Sequence, residues 1–233
     1  MKVTFRCLPE LEGILPRPIP ARRGLPQWLK DMPMGADSPD ADTHVKTVKK
    51  CPPFLDAMQS GFLVPLPCDI EVRDGVFEWD WRELPSFPRH TPRSPLGFHV
   101  AAQVADTPLF AEDTVFIKFQ NLWTIETEPG YSLLVTHPIN RLDLPFRSLT
   151  GLVDSDSYKD SYVHFPAAWI DPDFSGRLPR GTPVAQCLPV RRESLELDFE
   201  PLAGAALERL IETQDAIATP EGAYKTRFRV KKR

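Results

Sequence analysis

The sequence predicts an all-β core carrying extended arms. Three observations lead there. Proline is abundant, with 26 residues against 12 glycines in 233, and proline fixes φ and lacks the amide donor that helices and central strands require. Short apolar runs alternate at period two along most of the chain, the pattern of half-buried strands. Only one segment, Ala203 to Ala218, has a convincing 3.6-residue stripe, made by Leu207, Leu210, Ile211 and Ile217.

Taken in order, residues 2–8 alternate, with Val3, Phe5 and Cys7 on one face of a predicted strand. Residues 9–26 carry five prolines and read as an extended arm, followed by one helical turn over Gln27 to Met32 that sets Trp28 as an anchor. Gly35 to Thr43 is small, polar and acidic, a loop. Pro52 to Ser60 reads as a short helix, with prolines where a missing amide costs nothing and Gly61 as the stop. Phe62 to Leu66 and Cys68 to Arg73 are predicted strands. Asp74-Gly75 is a hairpin signal, because a type I′ turn needs positive φ at both central residues. The return strand, Val76 to Trp81, places Phe77, Trp79 and Trp81 on one face. A second proline-rich loop, Pro85 to Pro95, holds Arg89, His90 and Arg93. Strands follow at Phe98 to Val104, at Val115 to Phe119 and through Val190, with a last strand at Leu195, Leu197 and Phe199. The end, from Lys225 to Arg233, alternates basic and apolar residues, an arm able to pair with a neighbour or touch an anionic partner. The expected division is 1–61 for the arm and short helix, 62–200 for the β core, and 201–233 for the C-terminal helix and basic tail.

A net charge of −4 gives no global pull toward nucleic acid. Cys7, Cys51, Cys68 and Cys187 form no C-x-x-C pair, so structural zinc has no motif. There is no apolar leader after a basic start, and no run of the roughly 20 apolar residues a membrane span requires. The expectation is a protein of a reducing cytoplasm with free thiols, or a virion-associated one. P-loop, dinucleotide-binding, hydrolase-elbow and zincin motifs are absent.

Between Lys118 and Val190 three motifs stand in order. They are Glu128-Pro129-Gly130 feeding an apolar run, Gly151-Leu152-Val153-Asp154-Ser155-Asp156 followed by Tyr158, and Gly181-Thr182-Pro183-Val184-Ala185-Gln186. This order resembles the core of the dUTPase and dCTP deaminase superfamily. The resemblance implies a β-clip or jelly-roll-like barrel, and a homo-oligomer, a trimer. It also implies that Asp154 stands for the water-positioning aspartate, Tyr158 for the aromatic of the base-reading hairpin, and Gln186 for the strand that holds that hairpin. Where the family grips phosphate, this chain reads Thr136-His137-Pro138-Ile139-Asn140-Arg141, and the glycine-rich C-terminal lid is absent. The implied activity is therefore lost or altered. Stretches at Pro20 to Trp28 and Val48 to Ala57 also resemble an uncharacterised family of tailed phages and bacteria, which implies origin but no mechanism.

The candidate site is Asp154 and His137 for acid–base work, with Tyr158, Asn140, Arg141 and Gln186 for ligand binding, the ligand being a nucleotide or other small planar molecule. Two aspartates flanking a serine also commonly hold a turn, so Asp154 and Asp156 carry both readings. No cofactor and no tightly bound transition metal is expected. Three functions remain open: a ligand-binding relative of dUTPase, a phage structural or assembly protein using the fold as an oligomeric block, and a jelly-roll metal-dependent oxygenase employing His99, His137 or His164.

Overall fold

The computed structural model describes residues 1–40, 43–81, 90–107, 114–218 and 224–230. Much of the second proline-rich loop, residues 108–113 and 219–223, and the final Lys231 to Arg233 lie outside these residues. Sixteen strands dominate the described residues, and every pairing is antiparallel.

The chain forms two compact units, residues 1–32 with 56–192 and residues 33–55 with 193–233. In the first, a five-stranded sheet runs in the order Gly151–Val153, Tyr131–Thr136, Pro183–Arg191, Phe62–Pro65, Ile19–Pro20. A four-stranded sheet runs Phe146–Ser148, Phe165–Trp169, Phe116–Phe119, Leu96–Phe98. Gly176–Leu178, Ile70–Arg73 and Val76–Trp79 make a third sheet, and Thr4–Arg6 pairs with Thr124–Glu126. No sheet closes on itself among the described residues. Leu133, Val135, Val64 and Cys187 from the five-stranded sheet meet Ile117, Phe119, Phe146 and Phe165 from the four-stranded one in a single buried core. Phe119 and Phe146 touch edge to face at 4.7 Å, the arrangement favoured by aromatic quadrupoles.

Several expected elements hold. Asp74 and Gly75 take φ of 48° and 73°, as the hairpin turn between Ile70–Arg73 and Val76–Trp79 requires. The helices occupy Pro52–Gln59 and Ala205–Ala218. Pro189 lies in the long Pro183–Arg191 strand only beyond the point where pairing with Phe62–Pro65 ends at Cys187, so its missing donor breaks no ladder on that side.

Other expectations are corrected. The proline-rich 9–26 segment is not a detached arm: it contains short helical turns at Pro9–Leu11 and Ala21–Arg23, and Leu11, Leu15 and Ala21 are buried. Apolar side chains placed irregularly between prolines still bury themselves, although their spacing shows no period. Gly35–Ser38 is a strand rather than a loop, paired with Thr43–Lys46, and His44 Nδ1 lies 2.8 Å from Asp37 Oδ1. The strand expected from Phe98 ends there, and Ala101–Gln103 turns as a 3-10 helix where Gln103 Oε1 accepts the Val100 amide. Leu195 to Phe199 forms no strand and joins no ladder among the described residues. Tyr224–Phe228 coils into a helical turn closed by the Arg229 amide on the Tyr224 carbonyl, rather than extending. All four cysteines are free, with Cys51 exposed, Cys7 half-buried, and Cys68 and Cys187 buried.

Candidate functional site

The six candidate residues fall into two groups at opposite ends of the Tyr131–Thr136 strand. From Ser132 to His137 the chain covers five residues, roughly 16 Å of extended backbone. The structure therefore does not bring Asp154 together with His137 and Arg141.

At the far end, the chain leaves Tyr131–Thr136 through a turn closed by the Arg141 amide on the Pro138 carbonyl. Asn140 supplies its left-handed residue, with φ of 60° and an exposed side chain. Asparagine tolerates that conformation better than most residues, which accounts for its presence without a ligand. His137 spans the turn. Its Nδ1 accepts the Ser148 amide at 3.2 Å, so the proton sits on Nε2, which donates to the Arg141 carbonyl at 2.8 Å. Both ring nitrogens are thus engaged. Burial pushes the His137 pKa below its ordinary value, and the nearby Arg147 and Arg141 charges push the same way. Arg141, 13% exposed, forks onto Asp143, with Nε to Oδ1 at 2.8 Å and Nη2 to Oδ2 at 2.9 Å. Burial works to raise the Asp143 pKa, but the Arg141 guanidinium outweighs it and the group stays below the usual carboxylate range. Trp28 adds a hydrogen bond to the same carboxylate, so it anchors its segment as expected.

Gln186 is fully buried at the centre of the five-stranded sheet. Its Nε2 donates to the carbonyls of Ala57 at 3.0 Å and Ser60 at 2.7 Å, and its Oε1 accepts the Ile139 amide at 2.9 Å. One side chain thereby ties the end of a helix and the 138–141 turn to a strand. The cavity beside it, bordered by Gly24, Met58, Ile139 and Arg141, measures about 10 Å³, at the threshold of about 10–15 Å³ for a single water.

At the near end, Asp154 and Asp156 flank Ser155, which is buried and hydrogen-bonded to Thr127 at 2.8 Å. The Ser157 and Tyr158 amides donate to the Asp154 carbonyl, closing a turn. Ser132 Oγ donates to Asp154 Oδ1 at 2.6 Å, fixing a carboxylate that is 64% exposed. Arg192 clamps Asp156 through both guanidinium ends, and the Gly130 amide donates to Asp156 Oδ2 at 2.9 Å. The Arg192 hydrogen bond, followed by the Gly130 one, holds the Asp156 carboxyl far below the usual range. Tyr158 is exposed and does not pack in the core. Arg192 was invisible as a partner in the sequence. Its one signal is position, immediately after a strand whose Arg191 lies opposite Tyr131 beside the Gly130 turn.

What this arrangement can do is limited. Asp154 is a fixed carboxylate, but the cation beside it is committed to Asp156, and the cation expected to grip phosphate is committed to Asp143. The histidines do not converge either. His164 Nδ1 accepts the Asn121 amide at 3.2 Å, and His99 Nδ1 faces Gln103 at 2.9 Å. Among the described residues no group of three or more His, Cys, Asp or Glu side chains is placed to hold a metal. Among the described residues, grooves that reach ligand size do occur. One of about 390 Å³ is bordered by Phe5, Arg6, Cys7, Arg17 and Trp123, and one of about 380 Å³ by Leu11, Cys68, Trp81 and Arg180. No helix among the described residues is long and apolar enough to cross a membrane. Comparison of the chain with protein-family models and with curated proteins finds no match to either.

Proposed function

We propose that the chain is a structural or assembly protein, of phage or bacterial origin, that uses a β-clip-like core as a building block rather than as a catalyst. One observation carries this reading. Of the residues standing where the resemblance expects a phosphate grip, His137 has both ring nitrogens engaged in closing its own turn, Arg141 turns its Nε–Nη2 edge onto Asp143, and Asn140 serves the turn through its backbone. A guanidinium whose forked edge is already paired with a carboxylate offers a triphosphate much less than a free one would. Gln186, likewise, is spent on holding chain segments together.

The test is thermal unfolding with millimolar dUTP and dCTP, alongside an assay for pyrophosphate and phosphate release. The expected result is no shift in Tm and no release above a protein-free blank. Gln186→Leu, by leaving the Ser60 carbonyl and the Ile139 amide unpaired, is expected to lower stability by about 2–4 kcal/mol. A nucleotide-induced rise in Tm of more than about 3 °C, the scale of a ligand far above its Kd, overturns the reading. A small-ligand role is the second reading, favoured by the groove of about 390 Å³ beside Trp123 and Arg17. A Tm shift abolished by Arg17→Ala would establish it.

A further inference from the structure

We infer that the groove bordered by Ile14, Pro67, Asp80, Trp81 and Arg180 is a binding site for a small apolar zwitterion, a molecule with one ammonium, one carboxylate and an apolar body, such as a free hydrophobic amino acid. The inference goes beyond the assembly reading and does not depend on it.

Several stretches of the first compact unit build the site. Asp80 and Trp81 follow directly on the Val76–Trp79 strand, and Trp81 packs with Leu11, Leu15 and Leu122. Pro67 and Cys68 lie between the Phe62–Pro65 and Ile70–Arg73 strands. Arg180 follows Gly176–Leu178, and two bonds hold it in place. Its amide donates to Asp69 Oδ1 at 2.6 Å, and its Nη2 donates to the Ile14 carbonyl at 2.5 Å. The second of these bonds fixes the Ile14 segment along one side of the groove. The volume of about 380 Å³ is that of a small-molecule pocket rather than of a water site.

The groups left unsatisfied around the groove name the ligand. Asp80 is exposed, and among the described residues its carboxylate has neither an ion pair nor a hydrogen bond. The Asp69 carboxylate is taken by the Arg177 side chain and the Arg180 amide, so the Arg180 guanidinium has no carboxylate partner among the described residues. Two opposite charges thus border one groove without pairing with each other. Both act on Cys68, where Asp80 raises the thiol pKa and Arg180 lowers it, so both lie within electrostatic reach of the same side chain. Burial, above all, pushes that thiol up to about 11, so it stays neutral and lines the groove as an apolar surface rather than as a nucleophile. The Trp81 indole Nε1 is buried and meets no acceptor, a rare condition in a finished protein surface. Ile14, Pro67 and the Trp81 ring supply the apolar walls. A ligand ammonium answers Asp80, and a ligand carboxylate answers Arg180 and is the kind of acceptor the indole lacks. A ligand of one charge leaves a like charge facing it, and a neutral apolar one desolvates both protein charges without return.

The experiment is titration calorimetry of the full chain with L-phenylalanine, with hydrocinnamate, which lacks the ammonium, and with phenethylamine, which lacks the carboxylate. L-phenylalanine is expected to bind in the millimolar range, and each analogue about fivefold more weakly, the scale of one exposed ion pair. Asp80→Asn removes a charge from an exposed side chain that has no partner to lose. It is expected to leave the circular dichroism spectrum and the hydrocinnamate affinity unchanged and to bring L-phenylalanine down to that affinity. Arg180→Gln is expected to bring L-phenylalanine down to phenethylamine in the same way. Absence of L-phenylalanine binding up to tens of millimolar overturns the inference. So does binding that Asp80→Asn leaves unchanged, or analogues that bind as tightly as the amino acid. None of these probes carries a phosphate, so the outcome is independent of the nucleotide test.

Discussion

At the level of single residues, the histidines give the chain a measurable pH response. Burial, followed by the Lys118 charge, lowers the His164 pKa to about 4, and burial moves His137 in the same direction. An unfolded histidine takes up its proton near pH 6.5. Between about pH 6.5 and 4 the unfolded chain therefore binds more protons than the folded one, and stability falls as pH drops through that window. The carboxylates held low by arginine, Asp156 and Asp143, add their own loss from about pH 5 downward, as the unfolded carboxyls protonate near pH 3.9. Urea unfolding at pH 7 and pH 4.5 should show a clear loss at the lower value, and His164→Gln, which retains an acceptor for the Asn121 amide, should reduce that loss. A pH-independent midpoint would contradict the burial of both rings. Residue identity in the sequence pointed to His137 and Arg141 as chemistry. What it could not display is that the Ser148 amide and the Arg141 carbonyl engage both ring nitrogens of His137, and that Asp143 takes the Nε–Nη2 edge of Arg141.

Elements differ in how much of their reason is local. The Asp74-Gly75 hairpin was legible because its turn imposes a backbone demand that few residues meet, and both residues show it. Gly61 shows the contrast. It was readable as a helix stop, and its φ of 68° agrees. A Cβ there, however, would lie 2.0 Å from the Cys187 carbonyl oxygen, contributed by a strand over a hundred residues away. Gly61→Ala should therefore cost about 3 kcal/mol or more, combining backbone strain with a clash against backbone that cannot step aside. Gly75, with a similar φ of 73° and nothing within 4 Å, should tolerate Asn at a cost below about 1 kcal/mol. Denaturation midpoints of the two variants measure the difference, and equal midpoints would mean the clash is relieved. The buried Leu11 and Leu15 were hidden for a related reason: prolines interrupt the spacing that would have announced them. The last strand was the reverse case: Leu195, Leu197 and Phe199 alternate at period two, yet no strand forms there and nothing among the described residues pairs with them.

For the molecule as a whole, stability should reside in the first compact unit. No residue from Arg191 to Ala218 is buried, whereas the main core cluster lies between Phe62 and Cys187 and a smaller one is made by Leu11, Leu15 and Leu122. A chain ended after Glu193 is expected to keep a cooperative thermal transition. Its midpoint should lie close to that of the full chain. Loss of cooperativity in the shortened chain would show that the terminal segment contributes to the fold. The all-β class was legible from proline content and period two. The partition was not, because 33–55 and 193–233 are distant in sequence and share no motif.

The four free thiols form a graded set of probes. Burial raises the Cys187 pKa strongly and pushes that of Cys68 up to about 11, whereas Cys51 is exposed. Alkylation proceeds through the thiolate. Cys51 should thus be modified at once in the native protein, and Cys187 only at the rate at which the Pro183–Arg191 strand leaves the core. Mass spectrometry of a timed alkylation would then report the opening rate of the central sheet without any introduced label. Prompt labelling of Cys187 under native conditions would place that strand outside the cooperative core.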